Sequence, residues 1–244
     1  MMLRFVALVC FVLFCSVGQL RADDPAPTLD TVIAKYRADV LLDSGSSTEA
    51  SPLFMTLAER RLAFAHFDAL YPTRTVHADV KAEPLPEALA DLTQISFTAN
   101  DADLTLADLL QSEHLLGLIV VKNGDVLMEH YAPDHAKDSR WVTFSVTKSV
   151  TSLLIGAAIQ DGYIDSTDDP IVKYLPRLAG TEYGESRVRD ILQMASGIAW
   201  NEDYQDPESD VARAGALNGV ELTDYLGQLP RIAEPGTRFN YNTA

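Results

Sequence analysis

The sequence predicts a mixed α/β fold, and three observations carry that expectation. Two β-prone runs, Gly117–Lys122 and Val126–Tyr131, flank Asn123-Gly124-Asp125, the pattern of a tight hairpin that would be the first antiparallel pair of a sheet. Around it, several stretches space their apolar residues at helical intervals. A run beginning near Ser145 carries Val146, Val150, Leu153, Leu154, Ala157, Ala158 and Ile159, apolar over much of its circumference, so it is expected as a helix buried inside the domain. The chain has 244 residues and is 47% hydrophobic, enough for one good-sized domain or a domain with a smaller appendage.

Residues 1–22 have the layout of a secretory signal peptide: Arg4, an apolar run from Phe5 to Val17, and Ala22 at the expected cut. The apolar run is too short for a comfortable membrane span, and an uncleaved anchor is the lesser alternative. Phe14 and Val9 stand before Cys15 and Cys10, where lipid modification would call for a small residue. Both cysteines fall in this leader, so the mature chain is expected to use neither disulfides nor thiolate ligands. Export without disulfides fits a periplasmic or secreted protein. Removing Arg4 and Arg21 takes the formal net charge from −16 to −18. So acidic a surface disfavours nucleic acid and anionic membrane as partners.

Residues 23–56 are expected to form a polar linker and an N-terminal helix, Leu29 to Leu42, broken by Asp43-Ser44-Gly45-Ser46-Ser47. That loop lacks the Gly-x-Ser-x-Gly elbow of α/β-hydrolases. From residue 57 to 244 the rest reads as one domain. Leu57 to Leu70 is a second helix. The Pro-, Asp- and Thr-rich stretch to Ala102 is expected as irregular surface chain with a short helix at Leu85 to Leu92, and Leu104 to Glu113 as a further helix. Glu129, His130, Asp134 and His135 gather at the hairpin's end, but Glu129 and His130 point to opposite faces of a strand. They read as solvated strand-end residues, and neither metal nor cofactor is expected.

Gly162 closes the apolar helix, and a turn leads to a short helix through Tyr174. Val188 to Met194 is expected as a helix ending in the glycine turn Ala195-Ser196-Gly197, which accounts for Ser196 better than a nucleophilic role. Trp200-Asn201-Glu202-Asp203-Tyr204 suits a pocket-lining loop or an acidic surface loop. Val220 to Leu229 is a last helix, stopped by Pro230.

Ser145-Val146-Thr147-Lys148 places a hydroxyl and an amine three residues apart, on one face of a helix. Taken alone the tetrapeptide reads first as an N-cap serine with a solvated lysine. On a core helix, however, a lysine either finds a partner or has its pKa lowered by desolvation, and an unprotonated lysine can activate a serine hydroxyl.

With Ser145-x-x-Lys148, Asp168-Asp169-Pro170, the run Arg189–Gly197, and Pro235-Gly236 before Phe239-x-Tyr241 in this order, the chain from about Leu57 resembles the serine β-lactamase-like hydrolases. These include class C β-lactamases, D,D-peptidases, esterases and 6-aminohexanoate-dimer hydrolases. The last group is the most similar, through Trp200–Tyr204 and Asp206-Pro207. The resemblance implies a β-lactamase/transpeptidase-like fold, an antiparallel sheet flanked by helices with a helical subdomain. It implies Ser145 as the acylated nucleophile, Lys148 as its activator, and the Ser145 N–H as half of an oxyanion hole. Tyr241 matches the tyrosine of the family's Tyr-x-Asn motif, a base and proton donor that works where neighbouring cations such as Lys148 stabilise a phenolate. Trp200, Tyr204 and Thr243 are the expected substrate contacts.

Thr243 stands where lactam-cleaving members usually have Asn, and Ser209-Asp210 is followed by Val211, so no Ser-Asp-Asn triplet is present. The weight therefore falls on a secreted enzyme cleaving a small-molecule ester, linear amide or peptide-like substrate. A β-lactamase, a D,D-peptidase and a non-catalytic domain of the same fold are the alternatives. Family members continue well past the tyrosine, so the sequence is expected to be an N-terminal part, inactive alone.

Overall fold

The computed structural model describes residues 25–37, 52–77, 83–215 and 217–244. The leader, with Ala22 and both cysteines, lies outside them, as does the Asp43–Ser47 loop. No described helix is long and apolar enough to cross a membrane. The described chain forms two compact units, one reaching Val142 and the other running from Thr143 to Ala244.

In the first unit, helix α1 (Leu29–Tyr36) is capped by Thr28, and α2 (Leu57–Ala65) by a reciprocal box between Thr56 and Glu59. A break at His66 separates α2 from α3 (Phe67–Leu70), so the expected Leu57–Leu70 helix is two. Val32 and Tyr36 of α1, Met55, Ala63 and Leu70 share one apolar core. That core joins residues on both sides of the boundary expected near residue 57. Glu59 is buried there, and burial works against its ionised form. Lys35 at 2.9 Å and the Thr56 backbone N–H at 2.8 Å outweigh that penalty and leave its pKa lowered.

The stretch expected to be irregular contains a hairpin, β1 (Ser96–Ala99) and β2 (Ala102–Thr105). Its turn residues Asn100 and Asp101 have φ of 51° and 61°, left-handed values that short polar side chains tolerate. β2 runs into α4 (Leu106–Leu110), capped by Thr105 and Asp108, which shortens the helix expected at Leu104–Glu113.

The expected Leu85–Leu92 helix is replaced by extended chain. Pro84 and Pro86 hold the residues before them out of the helical region. Glu87 bridges Val126 in parallel, and Ala88 and Ala90 donate to the carbonyls of Val126 and Leu127.

β3 (Gly117–Lys122) and β4 (Asp125–Tyr131) form the hairpin read from the sequence, with Asn123 and Gly124 at φ of 56° and 93°. At its end Glu129 binds Tyr131 and Lys137 (3.1 Å), while Asp134 pairs with Arg61 and His135.

The second unit begins with α5 (Thr147–Gln160), closed at Gly162 with φ 78°. None of its residues is buried: Leu153 is 73% exposed and Leu154 64%. This corrects the expectation of a core helix. The unit's core is built elsewhere, from Leu178, Tyr183, Ile198, Trp200, Val211 and Leu226, and α5 contributes nothing to it. Short 3₁₀ turns at Ile171–Lys173, Pro176–Leu178 and Tyr183–Glu185 wrap that core. They are followed by α6 (Val188–Leu192), α7 (Asp210–Ala214) and α8 (Gly219–Gln228), the last capped by Asn218.

α6 stops at Leu192, two residues before the expected end, because Met194 turns left-handed at φ 55° and the Ala195 N–H reaches back to the Asp190 carbonyl at 2.7 Å. The Asp190 side chain is 1% exposed and takes two guanidinium bonds from Arg187, at 2.9 and 2.8 Å, and its backbone N–H at 2.9 Å. These bonds hold the carboxyl below the usual carboxylate range.

Asp190→Ala leaves those donors unmatched and is expected to cost about 1–3 kcal/mol in urea unfolding. Because the folded pKa is lowered, the carboxylate's contribution is complete above its unfolded pKa of about 3.9. It is lost as pH falls through the folded value. The stability gap between wild type and Asp190→Asn should therefore shrink below about pH 4. A gap that stays constant across that range would contradict the assignment.

Candidate active site

Phe144 precedes Ser145 with φ 40°, a left-handed conformation that is an outlier for a bulky residue. Such a residue costs on the order of 1–3 kcal/mol and persists only where its surroundings enforce it. The consequence is a sharp 3₁₀ turn over Phe144–Val146 feeding directly into α5, with Ser145 exposed at the turn. Ser145 does not cap the helix. The N-cap position is Val146, which has no side-chain cap bond, while Thr143 and Thr147 bond each other at 2.6 Å.

One turn on, Lys148 donates from Nζ to Ser145 Oγ at 3.2 Å. Lys148 lies on the half-buried stripe of α5, with Ile155, Ala158 and Ile159. Its Nζ also sits 5.4 Å from the centroid of the Tyr241 ring, within cation–π range. A partner, rather than burial in a core, therefore defines the setting of Lys148. Ser145 Oγ and the Tyr241 ring thus both lie against the Lys148 nitrogen.

Tyr241 lies 93 positions beyond Lys148 in sequence, and backbone packing brings it back. The segment after Pro230 runs against residues 194–199. Ala199 donates to Pro230, Ile232 and Ala233 donate to Gly197, Gly236 donates to Ala195, and Asn240 donates to Met194 at 2.7 Å. The two chains touch most closely at Gly197, whose φ is 78° and where an added Cβ would lie 2.1 Å from the Ala233 carbonyl oxygen. Gly197 is thus needed for close approach, in addition to the turn for which the sequence suggested it. Ser196 serves the turn: its hydroxyl accepts from the Ile198 N–H at 3.3 Å, and its carbonyl accepts from the buried Ser186 hydroxyl at 3.0 Å.

Trp200 is 7% exposed and packed in the unit's core, so it supports the loop from beneath. Tyr204 is half-buried, and its hydroxyl lies 3.2 Å from that of Thr243. Burial, with the nearby Glu202 charge adding to it against the Thr243 hydrogen bond, pushes Tyr204 up to about 12. Its O–H therefore stays a donor at neutral pH.

All three residues meet at Glu202, which sequence reading did not single out. Its carboxylate accepts from the Trp200 indole, the Tyr204 hydroxyl (2.7 Å), and both the backbone N–H (3.0 Å) and hydroxyl of Thr243. The signal was there in the alternation Trp200-x-Glu202-x-Tyr204, which puts the three on one side of an extended chain. A separate cavity of about 880 Å³ lies within the first unit, lined by residues such as Arg61, Glu113 and His130, and includes none of these groups.

Fold and sequence now define the class. Residues 102–244 match the Beta-lactamase family model, and the chain belongs to that family and has its mixed α/β, β-lactamase/transpeptidase-like fold. Among its relatives, the 6-aminohexanoate-dimer hydrolase of Paenarthrobacter ureafaciens is 34% identical over 151 residues, 62% of this chain. The chain spans 37% of that curated relative's length. A solved structure from Bacillus anthracis, described as "Putative 6-aminohexanoate-dimer hydrolase", superposes with a TM-score of 0.56 at 20% identity. The match covers 75% of this chain and 51% of that one.

Gly197→Ala should destabilise the protein by more than the ~1–2 kcal/mol of a left-handed alanine, because the steric clash adds to it. Gly180→Ala, at φ 80° with nothing within 4 Å of an added Cβ, supplies the comparison. Equal urea midpoints for the two variants would contradict the close-approach account.

Proposed function

We propose that the full-length protein is a secreted serine hydrolase that cleaves a linear amide or carboxylic ester through an acyl-enzyme on Ser145. The contact of Lys148 Nζ with Ser145 Oγ at 3.2 Å, with the Tyr241 ring against the same nitrogen, carries this reading.

Ser145 Oγ attacks the substrate carbonyl carbon and gives its proton to the basic pair of Lys148 and Tyr241. Lys148 accepts that proton only in its amine form, and its ammonium form stabilises a Tyr241 phenolate. The oxyanion is held by the Ser145 N–H, in the 3₁₀ turn over Phe144–Val146 that precedes α5. Tyr241 returns the proton to the leaving nitrogen or oxygen, and water then hydrolyses the ester on Ser145. Tyr204 and Thr243 contact substrate, with Trp200 supporting their loop. The layout of residues 1–22 supports export to the periplasm or beyond.

The linear amide is favoured within the substrate class because the 34% identical relative is named for hydrolysis of a 6-aminohexanoate dimer. Lactam cleavage is the second reading, supported by family membership. Thr243 weighs against it, since it stands where lactam-cleaving members usually have Asn.

A fluorophosphonate probe should label the full-length protein, and Ser145→Ala should abolish the label. Lys148→Ala should slow acylation by about 10²–10⁴-fold, the range of a lost general base. Equal labelling of Ser145→Ala would sink the proposal. Efficient nitrocefin turnover would move the substrate to β-lactams, and a full-length protein that no acylating probe labels would be a non-catalytic member of the fold.

A further inference from the structure

We propose that Glu202 is the positioning residue of this site, fixing Tyr241 by holding the chain two residues beyond it. The inference rests on the reading of Ser145, Lys148 and Tyr241 as the reacting set, and deepens it.

Tyr241 is suspended between two anchors. On its N-terminal side the Asn240 N–H donates to the Met194 carbonyl at 2.7 Å, and the Asn240 side-chain amide reaches the Ile198 carbonyl at 3.3 Å. Both acceptors belong to the framework around Gly197. On its C-terminal side Asn242 is buried, and Thr243 beyond it is tied to the rest of the unit through its backbone N–H and hydroxyl, which both donate to Glu202. Glu202 is in turn held by Trp200, a core residue, and by Tyr204. The carboxylate therefore links the aromatic loop to the segment bearing the phenol.

The distribution of donors says what kind of group is needed. A carboxylate offers about four lone-pair positions, and four donors fill them. Oε2 takes the Trp200 indole N–H and the Thr243 backbone N–H, donors that cannot reverse. Oε1 takes the hydroxyls of Tyr204 and Thr243, which can also accept. A glutamine with its carbonyl at the Oε2 position and its amide at the Oε1 position satisfies all four partners. An alanine satisfies none. Position 202 thus calls for planar hydrogen bonding more than for a negative charge, which separates a positioning role from an electrostatic one.

The test uses the full-length protein with 3-fluorotyrosine placed at position 241, alongside turnover of an activated ester. Glu202→Ala should lower kcat on the order of 10²-fold, the cost of misplacing a reacting group by about 1 Å. It should also shift or broaden the ¹⁹F resonance. Glu202→Gln should recover kcat to within about tenfold of wild type, with a wild-type-like resonance. If Glu202→Ala fails to fold, Thr243→Val, altered at an exposed position, should give a smaller change of the same kind in both readouts. An unchanged resonance and kcat in Glu202→Ala, or in Thr243→Val where that variant stands in, would overturn the proposal. So would a Glu202→Gln variant as impaired as Glu202→Ala, since that result assigns the effect to charge. Ser145→Ala is run in parallel: if it keeps full turnover, the nucleophile assignment fails, and the ¹⁹F resonances alone then decide whether Glu202 positions Tyr241.

Discussion

The approach of Gly197 to Ala233 is the constraint on which the second unit's site depends. Residues 194–199 and the chain after Pro230 run close enough to exchange several backbone hydrogen bonds, and at their nearest point there is no room for a Cβ. Met194 on one chain and Gly236 on the other both adopt left-handed conformations to keep the segments in step. An added Cβ at Gly236 would lie 2.9 Å from Asp190 Oδ1, so the Arg187–Asp190 pair packs directly behind the same framework. From this platform Asn240 and Tyr241 are carried to the start of α5. A tyrosine remote in sequence from Ser145 and Lys148 is thereby placed beside them by main-chain geometry, with its ring against Lys148 Nζ.

On the other side of the site, local strain does comparable work. Phe144 in a left-handed conformation folds the chain sharply into α5 and leaves Ser145 exposed, while Lys148 follows one turn later on the helix's half-buried stripe. The pairing of Lys148 with Ser145 rests on contact. Lys148 has two partners in Ser145 and Tyr241, and neither depends on α5 being inside a core. That distinction matters for mechanism, because proton transfer within a contact set is governed by its geometry, whereas desolvation acts on a single group wherever it is buried.

Local chemistry made much of this legible in the sequence. Asn123-Gly124 announced the β3–β4 hairpin, Gly162 announced the end of α5, and Ser145-x-x-Lys148 announced the hydroxyl–amine contact. What sequence reading misjudged depended on partners that periodicity does not specify. The apolar content of α5 implied burial, yet a greasy helix is buried only where another layer covers it, and none does so among the described residues. Leu85 to Leu92 has helical spacing, but Pro84 and Pro86 dictated extended chain that pairs with β4. Asn100-Asp101 is a weaker turn signal than Asn-Gly and went unread. Glu202 was hidden for a different reason. A glutamate in an acidic loop reads as solvated surface, and its four donors come together only when residue 243 is brought to residue 202.

The central claim is that Ser145 becomes esterified during turnover. Rapid acid quench of the full-length protein with a slowly hydrolysed ester, followed by intact mass measurement and peptide mapping, tests it directly. The account predicts a mass increase equal to the acyl group, confined to the peptide containing Ser145 and formed at least as fast as product appears. Turnover with no covalent adduct on that peptide, or an adduct on another residue that forms at the turnover rate, would contradict it.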